Sequence, residues 1–152
     1  MNNSLINILN HMNGKRVLLL GDLMLDKFVL GDVSRISAES PVPIVRVEKE
    51  TYNSGGIGNT ASNVVSLGGE AFIVGIIGRD NEGKILLDEI KKLHVDTEGI
   101  FHDDSRLTTQ KIRIMNQAHH LLRIDYETDY YIGKEIESKK IDYLNNKISD
   151  VD

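Results

Sequence analysis

The 152 residues contain no cysteine, which excludes a disulfide framework and any thiolate metal site. Excess basic charge is also missing: the formal net charge is −5, which leaves no case for general nucleic-acid affinity. No apolar run approaches the roughly 20 residues that span a bilayer. The amino terminus, Met1 to Met12, has no basic segment ahead of its apolar residues and so lacks the layout of a secretory signal. Its Leu5, Ile8, Leu9 and Met12 instead recur at the spacing of a short amphipathic helix. Low-complexity tracts, internal repeats and long linkers are absent. Hydrophobic residues make up 40% of the chain, enough for one core. A cytoplasmic, non-membrane protein is the expectation.

What is present alternates between strand-like and helix-like segments. Arg16 to Leu20 is a short apolar run that reads as a buried parallel strand. It ends in Gly21-Asp22-Leu23-Met24-Leu25-Asp26, placing carboxylates where open α/β sheets bind ligands. Phe28 to Leu30 and Pro43 to Val47 read as short β pieces around a polar loop, with Pro41 and Pro43 marking an edge-like passage. Glu48 to Ser54 is polar and poorly strand-like. A glycine-rich bend and helix follow, then a strand at Ala71 to Ile77, a helix from Asn81 to Leu93 and a short strand at Gly99 to Phe101. Thr108 to Ile114 and His120 to Tyr126 read as two strands joined by a polar turn at Asn116 to His119. Gly133 to Ile148 reads as an amphipathic helix with Ile136, Ile141, Leu144 and Ile148 as its stripe. This succession argues for an α/β layer sandwich with right-handed crossovers.

The segment from Asn53 to Gly69 carries the strongest functional signal. Glycines at 55, 56 and 58 remove Cβ atoms where a chain must bend sharply or lie close to a ligand, and the helix start that follows offers unpaired amides. Asn59 and Asn63 fall on one face of that helix, one turn apart. Asp26 is a candidate acceptor for vicinal hydroxyls, while Asp22 and Asp26 are also residue types that fill turns and caps. Lys111, Arg113 and Arg123 alternate along the two later strands and are candidates for a phosphate, because the arginine fork fits phosphate oxygens. His119 and His120 lie in a polar turn without a third ligand at sensible spacing.

Several of these segments together resemble the amino-terminal half of a PfkB-type, or ribokinase-family, sugar kinase. The resemblance rests on Gly21 to Asp26, on Ser34 to Val45 (Ser-Arg-Ile-Ser-Ala-Glu-Ser-Pro-Val-Pro-Ile-Val), on the glycine pair with Asn59 and Asn63, and on Thr109-x-Lys111-x-Arg113 followed by Leu122-Arg123-Ile124-Asp125. It runs from about Lys15 to Asp125, is most specific over 34–45, and is strongest toward the heptose-7-phosphate kinases. One position departs from the pattern: Ile57 stands where a small residue usually follows the glycine pair.

The resemblance implies a partial ribokinase-like three-layer sandwich with a small β-lid, built from strands at about 28–47 and 108–126. It implies transfer of the ATP γ-phosphoryl group, with Mg²⁺, to the anomeric hydroxyl of a heptose 7-phosphate in ADP-heptose and lipopolysaccharide core synthesis. Asp26, Gly55, Gly56 and Asn59 would hold the sugar with Asn63 in support, Lys111, Arg113 or Arg123 would meet its phosphate, and the lid would join two copies. The family's catalytic Gly-Ala-Gly-Asp motif does not occur, so the chain is expected to be the acceptor-binding portion, without kinase activity when purified alone. Two other readings stay open. Gly56-Ile57-Gly58-Asn59-Thr60-Ala61 matches a Gly-x-Gly-x-x-Ala dinucleotide fingerprint with Asp80 at the distance of the acidic partner. A noncatalytic sugar-binding or dimerisation fragment also fits.

Overall fold

The computed structural model describes residues 3–152, with side chains from Ile6 onward. In chain order the first elements are α1 (Asn3–Met12), β1 (Arg16–Leu20), β2 (Leu23–Ile36), β3 (Pro43–Gly56), α2 (Ile57–Ser66) and β4 (Glu70–Gly78). Then come α3 (Asn81–Lys91), β5 (Ile100–Asp103), β6 (Gln110–Asn116), β7 (His119–Tyr126), α4 (Lys134–Lys147) and a closing 3₁₀ turn (Ile148–Asp150). The strands divide into a parallel three-stranded sheet, β1-β4-β5, and a four-stranded sheet, β3-β2-β6-β7, in which only β2 and β6 run parallel. Gly21 and Asp22 carry the chain from one sheet into the other.

Strand alternation on β4 creates the layers. Ala71, Ile73 and Ile77 pack with Ala61 and Val64 of α2 and Leu86 and Ile90 of α3, and Leu23 and Leu25 from the start of β2 complete this core. Phe72 faces the opposite way, where the Lys147 ammonium of α4 lies 4.2 Å from its ring centroid. Tyr143 of α4 meets Phe101 of β5 edge-on, with centroids 6.3 Å apart. Helices thus cover both faces of the parallel sheet, giving the expected three layers.

α3 starts where Asp80, with extended backbone at φ −121°, accepts a hydrogen bond from the Gly83 amide at 2.7 Å. The same carboxylate accepts from the Thr108 amide at 2.7 Å and the Thr108 hydroxyl at 2.6 Å, tying the end of β4 to the segment that enters β6. Burial raises the proton affinity of Asp80, but these hydrogen bonds outweigh it and hold the carboxyl below the usual carboxylate range.

Several sequence expectations need correction. Glu48 to Ser54 is not a loop: β3 is continuous through it and pairs antiparallel with β2 along almost its whole length. Its polarity is that of a ribbon with solvated faces, in which Lys27 and Glu50 pair at 2.9 Å and the Tyr52 hydroxyl donates to Glu50 at 3.0 Å. β1 is parallel as expected but only half-buried. Among the described residues β4 is its only neighbouring strand, and Leu20 is 57% exposed. On α4, Ile136 and Leu144 share the inward face with Lys140, Tyr143 and Lys147, whereas Ile141 and Ile148 point outward. A 3.6-residue period places 136, 140, 143, 144 and 147 together and excludes 141. α1 forms within the span expected for it, yet Ile8 and Leu9 are exposed; Met1 and the Leu5 side chain fall outside the described residues.

Candidate functional site

Antiparallel pairing of β3 with β2 inside the four-stranded sheet brings the glycine bend against Asp26. In the β2–β3 register Asp26 stands opposite Asn53 and Met24 opposite Gly55. A Cβ at Gly55 would lie 2.6 Å from the Asp26 Oδ2, so only glycine allows the bend this close to the carboxylate. Gly56 sits at φ +59°, a conformation that other residues rarely adopt, and a Cβ there would run into the Asp22 carbonyl. α2 begins at once after Gly56 with no side-chain cap; the Ile57 amide donates to the Asp22 carbonyl at 3.0 Å.

Asp26, Gly55, Gly56 and Asn59 line one cavity of about 390 Å³ together with Asn53, Ser54 and Ser62. Phe28 supplies an apolar wall, and Glu89 and Leu93 close the side nearest α3. The polar groups are carboxylates, carboxamides and hydroxyls, a set that accepts from and donates to a polyhydroxyl ligand. No lysine or arginine lines this cavity among the described residues. Arg113 stands behind it: its Nη1 ion-pairs with Asp26 Oδ1, and its guanidinium lies 5.2 Å from the Phe28 ring centroid. Both partners are half-buried, so Arg113 orients the carboxylate toward the cavity.

The other sequence candidates lie elsewhere. Asn63 is exposed one turn further along α2 and does not line the cavity. Lys111 stands opposite both Asp26 and Asp125 in the sheet, pairs with Asp125 at 3.2 Å, and lines a second cavity of about 250 Å³ at the carboxyl ends of β1 and β4. Arg123 is on the outer strand β7, 57% exposed, with its Nε 2.9 Å from Asp125. Sequence reasoning missed Asn53 and Ser54, because they fell in the stretch read as non-strand. It also missed Glu89, Arg106 and Lys140, which topology alone brings to the cavities. Among the described residues no cluster of three or more His, Asp or Glu side chains is arranged to hold a metal ion.

The dinucleotide fingerprint loses its supports here. The strand before Gly56 is antiparallel to β2 and belongs to the four-stranded sheet, and Asp80 is already engaged by Gly83 and Thr108.

A three-layer α/β body joined to a second sheet, with a polar cavity at their crossing, is the arrangement of a ribokinase-like sugar kinase. The ribokinase of Arabidopsis thaliana, solved with ribose and ATP, superposes with a TM-score of 0.59 at 15% identity over 74% of this chain and 36% of that one. Residues 15–149 match the pfkB family of carbohydrate kinases, and the chain belongs to that family. The bifunctional protein HldE of Helicobacter pylori strain P12 is 38% identical over 138 residues, covering 91% of this chain and 30% of that protein. HldE of Caulobacter vibrioides is 43% identical over 127 residues, covering 84% of this chain and 26% of that protein. The chain therefore spans under a third of the length of these curated relatives.

Proposed function

We propose that this chain is the acceptor-binding portion of an ATP-dependent kinase that phosphorylates a heptose 7-phosphate at its anomeric hydroxyl, in ADP-heptose and lipopolysaccharide core synthesis. The observation that carries the acceptor role is the convergence of Asp26, Gly55, Gly56 and Asn59 on one cavity. The substrate class is supported by the 34–45 segment and by relatives named HldE.

In this reading, sugar hydroxyls donate to the Asp26 carboxylate, which Arg113 holds in place, while the Asn59 carboxamide both donates and accepts. The glycine bend lets the backbone approach the sugar without a side chain intervening. Lys111 is the better placed cation for the phosphate, since it lines the neighbouring cavity, whereas Arg123, on the same face of the sheet, lies exposed on the edge strand. When bound, magnesium-ATP supplies the phosphoryl group and neutralises its charge. The family's Gly-Ala-Gly-Asp motif does not occur in these residues, whose part is to bind and orient the acceptor.

The four-stranded sheet takes the part of the lid. Ile36, Val47, Leu122 and Ile124 leave apolar surface on it exposed, which supports a homodimer formed through this sheet. The protein would act in the cytoplasm, where ATP is available.

Calorimetry with heptose 7-phosphate tests the site. Asp26→Ala should weaken binding by about tenfold or more, since hydrogen bonds to a charged group contribute about 1.5–3 kcal/mol each. Unchanged affinity in Asp26→Ala would remove the carboxylate from the site.

A further inference from the structure

The acceptor cavity has a wall that the sequence motifs do not supply. Asp26, Phe28 and the glycine bend belong to the four-stranded sheet and Asn59 and Ser62 to α2, whereas Glu89 and Leu93 reach the cavity from α3 and the turn that ends it. Their spacing of four residues puts these two side chains on one helical face. The helix behind them is held firmly: Asp80 caps its start, and Leu86 and Ile90 are fully buried in one core with Ala61 of α2 and Ile73 of β4. Position 89 is therefore fixed relative to α2.

Lys92 anchors the Glu89 carboxylate without using it up. The Lys92 ammonium lies 2.5 Å from Oε1, and its side chain is 66% exposed against 24% for Glu89, so the cation stays toward solvent while the carboxylate lines the cavity. A carboxylate offers several acceptor positions, so Oε2 and the rest of Oε1 remain for a ligand. No lysine or arginine of the described residues lines the cavity, and Glu89 and Asp26 therefore give it a negative potential. Such a cavity attracts hydroxyl donors and repels phosphate or carboxylate groups.

We propose that Glu89 is a specificity-determining residue of the acceptor cavity: it accepts a hydrogen bond from a sugar hydroxyl and, with Asp26, keeps the anionic group of the acceptor outside. A site built to pair with a hydroxyl rejects analogues that cannot donate there, because its polar group is then left unpaired. The sugar would thus be oriented by repulsion as well as by attraction. This role rests on the acceptor-binding reading and adds to it a determinant from α3, outside the glycine bend and the strand-end carboxylate.

Carbon-detected NMR of the side-chain carboxyl groups, titrated with heptose 7-phosphate, tests this in wild type and needs no variant to fold. The Glu89 carboxyl resonance should shift saturably together with that of Asp26, and those of Glu82 and Asp88 on the same helix should stay in place. In calorimetry, Glu89→Gln should weaken heptose 7-phosphate binding about tenfold, the loss expected for one hydrogen bond to a charged group. Asp88→Asn removes the same charge from the exposed face of α3 and should leave binding unchanged. Selectivity is the sharper readout. Mannosamine 6-phosphate differs from mannose 6-phosphate by an ammonium in place of a hydroxyl, so wild type should prefer the amino sugar. Glu89→Gln should lower that preference about tenfold while Asp88→Asn keeps it, and a ratio of two affinities does not depend on the fraction of protein folded. An unmoved Glu89 resonance while heptose 7-phosphate binds, or a preference that changes equally in the two variants, would overturn the role of Glu89 and leave the acceptor reading standing. Absence of any heptose 7-phosphate binding would overturn both.

Discussion

The two sheets of this molecule are built on opposite principles. The parallel sheet is dry on the face that α2 and α3 close, where Ile73, Ile77, Leu86 and Ile90 are at most 1% exposed, although Leu20 on its β1 edge is exposed. The four-stranded sheet is wet, held by register and ion pairs such as Lys27–Glu50, Asp26–Arg113 and Lys111–Asp125, with Leu122 on its outer strand 56% exposed. Burial supplies most of the stability of the first, whereas in the second the polar pairs mainly fix positions. The candidate site lies at the seam, where α2 presents Asn59 and Ser62 and the polar sheet presents Asp26 and the glycine bend.

The largest effect should come from breaking the dry side. Leu86→Ala would leave a cavity in the core and cost about 2–5 kcal/mol, read as a lower urea midpoint. Gly56→Ala strikes the seam itself: the forced positive φ alone costs about 1–3 kcal/mol, and the contact with the Asp22 carbonyl adds to it. Its stability loss should be accompanied by loss of sugar-phosphate binding, which Leu86→Ala in the folded fraction should retain. Asp80→Asn weakens the tie between β4 and the entry to β6 and should cost about 1–3 kcal/mol at neutral pH. Because the folded-state pKa of Asp80 is lowered, its stabilisation is complete above the unfolded value and is lost as pH falls through the folded value. The difference between wild type and Asp80→Asn should therefore shrink in acid; a constant difference would contradict this. The smallest effect is expected on the wet side, where Leu122→Ala should change monomer stability by no more than about 0.5 kcal/mol.

The dry side was the more legible in the amino-acid sequence. The apolar runs of β1 and β4 and the spacing of α3 announce themselves locally, and their boundaries shift by no more than two residues, whereas Asp80 was read only as a possible partner of a dinucleotide fingerprint and is the cap of α3. The wet side was legible in its ends but not its middle. Glu48 to Ser54 has the composition of a loop, and only pairing with β2 makes it a strand. The candidate site divided in the same way. Asp26, Gly55, Gly56 and Asn59 were grouped by the resemblance to the sugar kinases, whereas the register that brings Asp26 to the bend runs through the stretch read as poorly strand-like. Lys140, Arg106 and Glu89 reach the cavities from segments distant in the chain, and nothing local to those residues marks them. The outward turn of Ile141 shows the same limit, since an apolar residue on a helix does not by itself say which face is covered.

A sugar phosphate should bind at the seam of the two sheets, between the glycine bend and Asp26. Two-dimensional amide NMR of the chain titrated with heptose 7-phosphate tests it most directly. Shifts concentrated at Gly55, Gly56 and Asn59, with Lys111 responding from the neighbouring cavity, are the predicted result. A titration that leaves these amides unmoved, or that perturbs only the outer strand β7 around Arg123, would contradict it.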